Sequence, residues 1–566
     1  MKHLLSMKGW ITLGIGLWLS LLSVQAQVDV EDLPPISGTY ALTNVTVHVK
    51  PGEVLSGATV VIKDGLITAV GSNVTVPGEA ITLEADSMHV YAGFIDGLSQ
   101  AGQEKPERNR RERPDDPGNP PMEIAGIQPQ RQVMDLIDES SSDFGKLRAT
   151  GFTTAHLVPM GGMFPGQGAI VTLSGKNADD MRLSQPTSMF IQFEGASGRA
   201  YPSNLLGVTA TFKQMYRQAE LAVAHEVQYQ SNPSGMTRPS YSQEVRALYP
   251  MVQGELPTMA LAEDRKDVYR FLKLGEELGF SPVLAGVQEA SYQVEAIKAA
   301  GAPVFLSLDL PEKPEEAEVD SSLSEAMQAE AAALEKRRLE AYEMAIMQAS
   351  KLHAAGVPFG FTTYDASEKD IPENLKRLVS EGGLDEEAAL EALTTRPAQI
   401  FGLSNMMGTV EAGKMANLIV SDEPFFTEDA KIRFVIVDGS VYEQEAKRKR
   451  KGGNSGNSGE AANVAGNWDY TIDSPQGKMT GTLVMKGEGG DYEGTMSSDM
   501  SPGETEISDV SVDGNNLSFT YSIDAGGSSM EIEISVEVDG DTFEGTVSVA
   551  QYGSFPIEGE RTGKPE

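Results

Sequence analysis

Pro303-Val304-Phe305-Leu306-Ser307-Leu308 is a short apolar run that reads as a strand, and it stands between helical stretches. Residues 267–278 and 292–300 precede it, and residues 321–355, rich in Ala, Glu, Leu and Met, follow it. Short apolar strands alternating with helices are the pattern of repeated βα units around a parallel sheet, and this pattern runs from about Gly93 to Leu403. The charges of residues 321–355 read as a solvated face and its methionines as core.

On both sides of this region the pattern changes to β. In Val45-Thr46-Val47-His48-Val49-Lys50 the valines alternate with polar residues, the period-two pattern of a half-buried strand. Pro51-Gly52 turns the chain, residues 59–63 make a second strand, Asp64-Gly65 a hairpin turn, and residues 66–70 a third strand. After Gly408, Ala416-Asn417-Leu418-Ile419-Val420 and Arg433-Phe434-Val435-Ile436-Val437 are strands again, the second followed by an Asp438-Gly439 turn.

Further out lie three segments of other kinds. Lys2 and Lys8, an apolar run over residues 9–22 and the small residues around Val24-Gln25-Ala26 have the form of an export signal, expected to be removed after residue 26. The run is shorter than the roughly 20 apolar residues that a spanning helix needs, so no membrane span is expected after signal removal, and the mature chain is expected in a bacterial periplasm or at the cell surface. The basic run Lys447-Arg448-Lys449-Arg450-Lys451 and the Gly/Ser/Asn-rich residues 452–459 form a linker over 446–464. Residues 465–562 are almost purely alternating strand, as in Met530-Glu531-Ile532-Glu533-Ile534-Ser535-Val536-Glu537-Val538. Tyr492-Glu493-Gly494-Thr495 recurs there as Phe543-Glu544-Gly545-Thr546, which suggests repeated hairpins in a barrel or sandwich.

Composition narrows the function. With 82 Asp+Glu against 45 Lys+Arg the net charge is −37, so no nucleic-acid partner is expected. The absence of cysteine excludes thiol catalysis, thiolate metal sites and disulfides. From Gly466 onward, 20 Asp+Glu stand against 4 Lys+Arg; no loop there has EF-hand spacing, and the acids read as surface charge.

Three stretches carry a family resemblance. Val60-Val61-Ile62-Lys63-Asp64-Gly65-Leu66-Ile67-Thr68-Ala69-Val70-Gly71 leads to Tyr91-Ala92-Gly93-Phe94-Ile95-Asp96. Gly151-Phe152-Thr153-Thr154 is followed by a loop through Gly161-Gly162 to Gly166-Gln167-Gly168. Residues 387–393 lead to Thr394-Thr395-Arg396-Pro397-Ala398 and then to Gly408-Thr409-Val410-Glu411-Ala412-Gly413-Lys414-Met415-Ala416-Asn417-Leu418. Together they resemble the amidohydrolase superfamily in its imidazolonepropionase-like and prolidase-like branch, including its "PGFID" signature with Ala92 in place of Pro. To the separate C-terminal all-β domain that the strand pattern gives at 465–562, the resemblance adds an α/β fold: a (β/α)8 TIM-type barrel at 91–405, flanked by a composite β-sandwich from 37–90 and 406–443. It also implies hydrolysis of carbon–nitrogen bonds at the C-terminal ends of the barrel strands, by zinc or another divalent metal held by a His-x-His, two later histidines and an aspartate.

The ligand positions carry other residues. The His-x-His falls on Leu98 and Gln100, the later histidines near Leu261 and Ala285, and the aspartate on Tyr364, with Asp365 one residue late. Neither hydrocarbon nor a neutral amide replaces imidazole for zinc. The six histidines are His3, His48, His89, His156, His225 and His353, and the nearest two in sequence, His48 and His89, are 41 residues apart. His48 lies opposite the valines of its strand, and with His89, His225 and His353 it reads as an ordinary structural or surface residue. Only His156 follows a barrel strand that could aim it at the mouth, and there too packing or hydrogen bonding is the simpler role.

A metal lowers the pKa of water by roughly nine units, up to about 12 kcal/mol of nucleophile activation, far more than one general base supplies. No cofactor is therefore expected. The first expectation is a catalytically weak or inactive homologue acting as a binding or partner subunit for a small amide-type ligand, an active amidohydrolase paralogue or a second copy of itself. The second is a hydrolase with a rebuilt site using Asp365, His156 and Glu263, with Glu194 and Asp264 as further carboxylates, although each carboxylate taken singly reads as a surface or helix-capping residue. The third is an envelope binding protein working through aromatic residues of the C-terminal domain: Trp468, Tyr470, Tyr492, Phe519, Tyr521, Phe543, Tyr552 and Phe555. Those residues read more simply as core.

Overall fold

The computed structural model describes residues 38–103, 114–174, 177–196, 199–314, 324–444 and 464–563, the last stretch without 475–476, 489–490, 499–500, 514–515, 526–527, 541 and 550–552. The export signal, His3, the basic run, the Gly/Ser-rich linker and Tyr552 lie outside these residues. The alternation at Val45 to Lys50 is the end of a long strand, β1 (Thr39–Lys50), which forms an antiparallel meander with β2 (Glu53–Lys63) and β3 (Leu66–Gly71). Gly52 and Gly65 turn the chain at φ of 79° and 78°, a region glycine enters without steric cost. β4 (Ile81–Leu83) and β5 (His89–Ala92) then run parallel to β1.

Eight strands follow in one sheet, in chain order: β6 (Phe94–Ser99), β7 (Phe152–Leu157), β8 (Gly166–Thr172), β9 (Arg182–Ile191), β10 (Thr258–Leu261), β11 (Pro282–Val287), β12 (Val304–Ser307) and β13 (Phe359–Thr362). The sheet closes on itself: Thr362 Oγ1 donates to the Leu98 carbonyl, and the Thr363 N–H donates to Asp96 Oδ1 at 3.0 Å. Helices follow the strands, as at Arg265–Leu278 after β10. Asp264 Oδ1 caps that helix by accepting the N–H groups of Lys266 and Asp267 at 2.7 and 2.8 Å, and Val268, Phe271, Leu274 and Leu278 are buried along its inner face at the spacing of an amphipathic helix.

The barrel departs from a uniform (β/α)8 pattern at β8. The stretch from Gly166, read from sequence as loop, is a strand antiparallel to both β7 and β9. Only residues 158–165 separate β7 from β8, and a parallel crossover needs a dozen residues or more. The short link therefore forces a hairpin.

Past the barrel, β14 (Leu418–Ser421), β15 (Ile432–Val437) and β16 (Ser440–Glu443) complete the first sheet, β14 pairing antiparallel with β5 so that Leu418 lies opposite Ala92. The sheet is rolled. The Ile67 N–H donates to the Lys414 carbonyl and the Ala416 N–H to the Gly65 carbonyl, both at 2.8 Å. The two Asp-Gly turns meet so closely that a Cβ on Gly439 would stand 2.7 Å from Gly65 Cα. Inside the roll Leu42, Val45, Val47, Val60, Ile62, Val90, Leu418, Val420 and Ile436 form one core drawn from both ends of the region.

His48 points away from that core. Parallel pairing of Thr46 with His89 brings His48 Nε2 to 3.2 Å from His89 Nδ1. Burial, followed by the neighbouring His89, pushes the His48 pKa down to about 4.

The chain divides into two units, Met1–Lys447 and Arg448–Glu566. The second is a closed antiparallel barrel of β17 (Gly466–Ser474), β18 (Gly477–Glu488), β19 (Asp491–Ser498), β20 (Ser501–Asp513), β21 (Asn516–Ala525), β22 (Ser528–Asp539), β23 (Thr542–Val549) and β24 (Gly553–Gly563), with β24 returning to β17. Trp468, Tyr470, Phe519 and Phe543 are buried in its interior and Tyr492, Tyr521 and Phe555 pack against them, so these aromatics form a core. Among the described residues, no helix is long and apolar enough to cross a membrane.

Candidate functional site

The C-terminal ends of the barrel strands are where a TIM-type barrel places its chemistry. Here the lumen beneath them is apolar. Leu98 and Ala285 are fully buried, Leu261 nearly so, and they pack in one cluster with Val158, Phe190, Met259 and Phe305, against which Tyr364 and Phe401 lie. Phe305 occupies the centre: a Cβ on Gly97 would come within 2.0 Å of its Cδ1, and one on Gly360 within 2.7 Å of its Cε1. The Phe401 ring stacks on it at 5.2 Å. Gln100 is half-buried just beyond β6. This donor set does not suit a metal ion, which needs nitrogen, oxygen or sulfur ligands at about 2.0–2.3 Å. Among the described residues, no group of three or more His, Asp or Glu side chains is arranged to hold one.

Asp96 is the buried charge that sequence reasoning passed over. It has no exposed surface. Its Oδ1 accepts the N–H groups of Thr363 at 3.0 Å and Leu98 at 3.2 Å, and its Oδ2 accepts the Thr363 hydroxyl at 2.5 Å. Burial pushes its pKa up to about 6, against the pull of the Thr363 hydrogen bonds. The group is a strut between the first and last barrel strands. The sequence marked it only as the end of the signature Gly93-Phe94-Ile95-Asp96 after an apolar run, with nothing to name its partner.

His156 lies on β7 and is also fully buried. The hydroxyls of Thr187 and Ser188 lie 3.0 and 3.1 Å from Nε2, Phe401 lies 5.0 Å away ring to ring, and Nδ1 has no well-formed hydrogen bond. Burial pushes its pKa down to about 4, opposed by the Gly97 backbone. At neutral pH the ring is therefore uncharged, held to hydroxyls rather than carboxylates. Instead of being aimed at the mouth, it is enclosed by β8 and β9. Gly168 leaves the space it fills, since a Cβ there would stand 2.6 Å from Nε2.

A histidine with a lowered folded-state pKa supplies stability that is present above its unfolded value and lost as pH falls through the folded one. His156 is expected to contribute a loss of about 3 kcal/mol between pH 6.5 and pH 4. Urea melts of His156→Gln and the parent at pH 7 and pH 4.5 should show the variant's stability relative to the parent shifting in its favour by most of that amount as pH falls; an unchanged difference would disprove it.

The carboxylates sit elsewhere. Glu263 follows β10, Asp309 follows β12, and Tyr364 and Asp365 follow β13. Burial and the nearby charge of Asp365 raise the pKa of both Glu263 and Asp309. The charges of Asp365, Glu263 and Glu194 add to the burial that raises Tyr364. Asp365 is exposed and has φ 56°, a left-handed conformation that Asp tolerates. Glu194 Oε2 accepts the Gly162 N–H at 3.0 Å and Gln192 Nε2 at 2.7 Å, pinning the turn before β8. The structure thus groups Glu263 with Asp365 at the mouth, ties Glu194 to a loop, uses Asp264 as a cap, and surrounds His156 with hydroxyls and a ring.

Comparison with known proteins gives the following. The amidohydrolase family model matches residues 306–442. No curated protein matches the chain. An amidohydrolase from Thermotoga maritima matches in structure with a TM-score of 0.58 at 19% identity, over 72% of this chain and 100% of that one. A prolidase complexed with N-methylphosphonate-L-proline matches at TM-score 0.40 and 16% identity, covering 72% and 100% of the two chains. A zinc-bound adenosine deaminase from Xanthomonas campestris matches at 0.39 and 14%, covering 71% and 92%.

Proposed function

We propose that this chain, which has the amidohydrolase fold and carries the family's closing segment at residues 306–442, is a binding or partner subunit rather than a metal-dependent hydrolase of carbon–nitrogen bonds. One observation carries this reading: Leu98, Leu261 and Ala285 stand where the resemblance puts imidazoles, and they are packed around Phe305 in a hydrocarbon-filled lumen. Without metal-activated water, up to about 12 kcal/mol of nucleophile activation is missing, and a carboxylate pair at the rim does not replace it. The occupant of the barrel face is then a small amide-type ligand, an active amidohydrolase paralogue or a second copy of the chain. The leader over residues 1–26 supports action in the periplasm or outside the cell.

A second reading, a hydrolase with a rebuilt site, draws on the Glu263–Asp365 pair, where burial, followed by the charge of Asp365, raises the Glu263 pKa. It lacks a histidine partner, because His156 is engaged by Thr187 and Ser188.

The test is turnover by the full chain, with and without added Zn2+ or Mn2+, on prolyl dipeptides and small lactams. We expect rates equal to those of the heat-inactivated control under every condition. A metal-dependent rate that persists when His48 and His89 are both replaced by Asn would overturn the proposal. A metal-independent rate abolished by Glu263→Gln would establish the second reading in its place.

A further inference from the structure

The histidines nearest each other in sequence, His48 and His89, are also brought together by the fold. His48 projects from β1 on the face opposite Val47 and Val49, and His89 opens β5 beside it. Their nitrogens Nε2 and Nδ1 are 3.2 Å apart, and both rings are half-buried, within reach of solvent. The His48 ring is held flat against Tyr91, with centroids 4.1 Å apart and planes 14° apart. Tyr91 is itself held, its hydroxyl accepting the Phe425 N–H at 3.1 Å. The charge of Glu423, exposed beside the pair, acts on His89.

We propose that His48 and His89 form a two-nitrogen chelate for a divalent transition metal of the zinc, copper and nickel group, on the rolled sheet and outside the barrel.

The spacing supports this. Metal–imidazole bonds are about 2.0–2.1 Å long, so two such nitrogens on one ion stand about 2.9 Å apart at a right angle and about 3.4 Å apart at a tetrahedral angle. The observed separation falls between these limits, so the rings need only tilt, without backbone movement. Imidazole nitrogen selects borderline metals over magnesium and calcium, which prefer oxygen. The pair shares one N–H in its hydrogen bond. On metal binding the ring that donated this N–H gives the proton up to solvent and takes one back on its other nitrogen, while the accepting ring already carries its proton on the far side; two metal–nitrogen bonds form, one N–H···N bond breaks, and no net proton leaves the protein. Water completes the coordination, and the Glu423 carboxylate lowers the net charge nearby. Two protein nitrogens make an open site of micromolar rather than nanomolar strength, consistent with the absence of any three-ligand group among the described residues.

The site does not depend on the proposed function of the barrel. Full-length protein, stripped with chelator and titrated with Cu2+ or Zn2+ by calorimetry, should bind one equivalent with micromolar affinity, and the Cu2+ adduct should show hyperfine coupling from two imidazole nitrogens. His89→Asn and His48→Asn should each weaken binding at least tenfold and remove the metal-dependent rise in melting temperature, while His225→Asn leaves both unchanged. Should His48→Asn fail to fold, the more exposed His89→Asn decides alone. Binding equally tight in the His89 variant, or no stoichiometric binding to the parent, would overturn the proposal.

Discussion

At pH 4, Asp96→Ala is expected to destabilise the first unit by about 4 kcal/mol, and Asp96→Asn by about 1 kcal/mol or less. Alanine leaves the buried N–H groups of Thr363 and Leu98 and the Thr363 hydroxyl without their acceptor, and each orphaned buried group costs about 1–3 kcal/mol. Asparagine keeps the two N–H bonds on Oδ1 and donates from Nδ2 to a rotated Thr363 hydroxyl. The two variants also separate the role of charge from that of shape. The folded-state pKa of Asp96 is raised from 3.8 to about 6, so its stabilising contribution is complete below pH 4 and is lost as pH rises towards 7. That loss amounts to about 3 kcal/mol. Between pH 4 and 6 it opposes the slope contributed by His156, so the parent curve is flatter than either group alone would make it. Urea melts at pH 4 and pH 7 should show the stability of Asp96→Asn relative to the parent shifting in its favour by about that amount as pH rises. An unchanged difference would show that the carboxyl is not titrating in this window. A mild effect of Asp96→Ala would show that β6 and β13 are held by other contacts.

Phe305→Ala should cost a similar amount, about 4 kcal/mol, because the ring is fully buried and its removal leaves a cavity bounded by Gly97, Gly360, Leu98, Leu261 and Phe401. The reciprocal change is Gly97→Ala. Its new methyl would overlap the Phe305 ring at 2.0 Å, and such overpacking costs about 1–3 kcal/mol or more. In the Phe305→Ala background the same methyl has room. The double variant should therefore be more stable than the sum of the singles predicts by at least about 1 kcal/mol, measured by chemical denaturation with folding confirmed by near-UV circular dichroism. Strict additivity would mean that the lumen is not filled by this ring.

The large divisions of the fold were legible because they rest on local patterns: the alternating valines of β1, the Asp-Gly turns, and the short apolar run that became β12. The reversal of β8 was not. Its glycines suggested a loop, and only the shortness of the link from β7, once both ends were known, makes the hairpin necessary. In the lumen, the apolar character of Leu98, Leu261 and Ala285 could be read one residue at a time. That they close around Phe305 and Phe401 depends on which strands are neighbours. Asp96 was equally opaque, since its partner Thr363 lies 267 residues further along the chain. His48 could be assigned to the face away from the valines, but its meeting with His89 requires the parallel register of β1 with β5.

The rolled sheet has a temporal consequence. β5 finds its neighbour β14 only when Leu418 reaches Ala92, so a chain emerging from the ribosome carries β1 to β5 with an open backbone edge until the barrel and the strands beyond it have been made. Closing so long a loop is slow relative to local pairing, and an unpaired edge invites foreign strands. Strands β1 to β5 are thus made before the strand that covers their open edge, and they are sealed only after the whole barrel has been added.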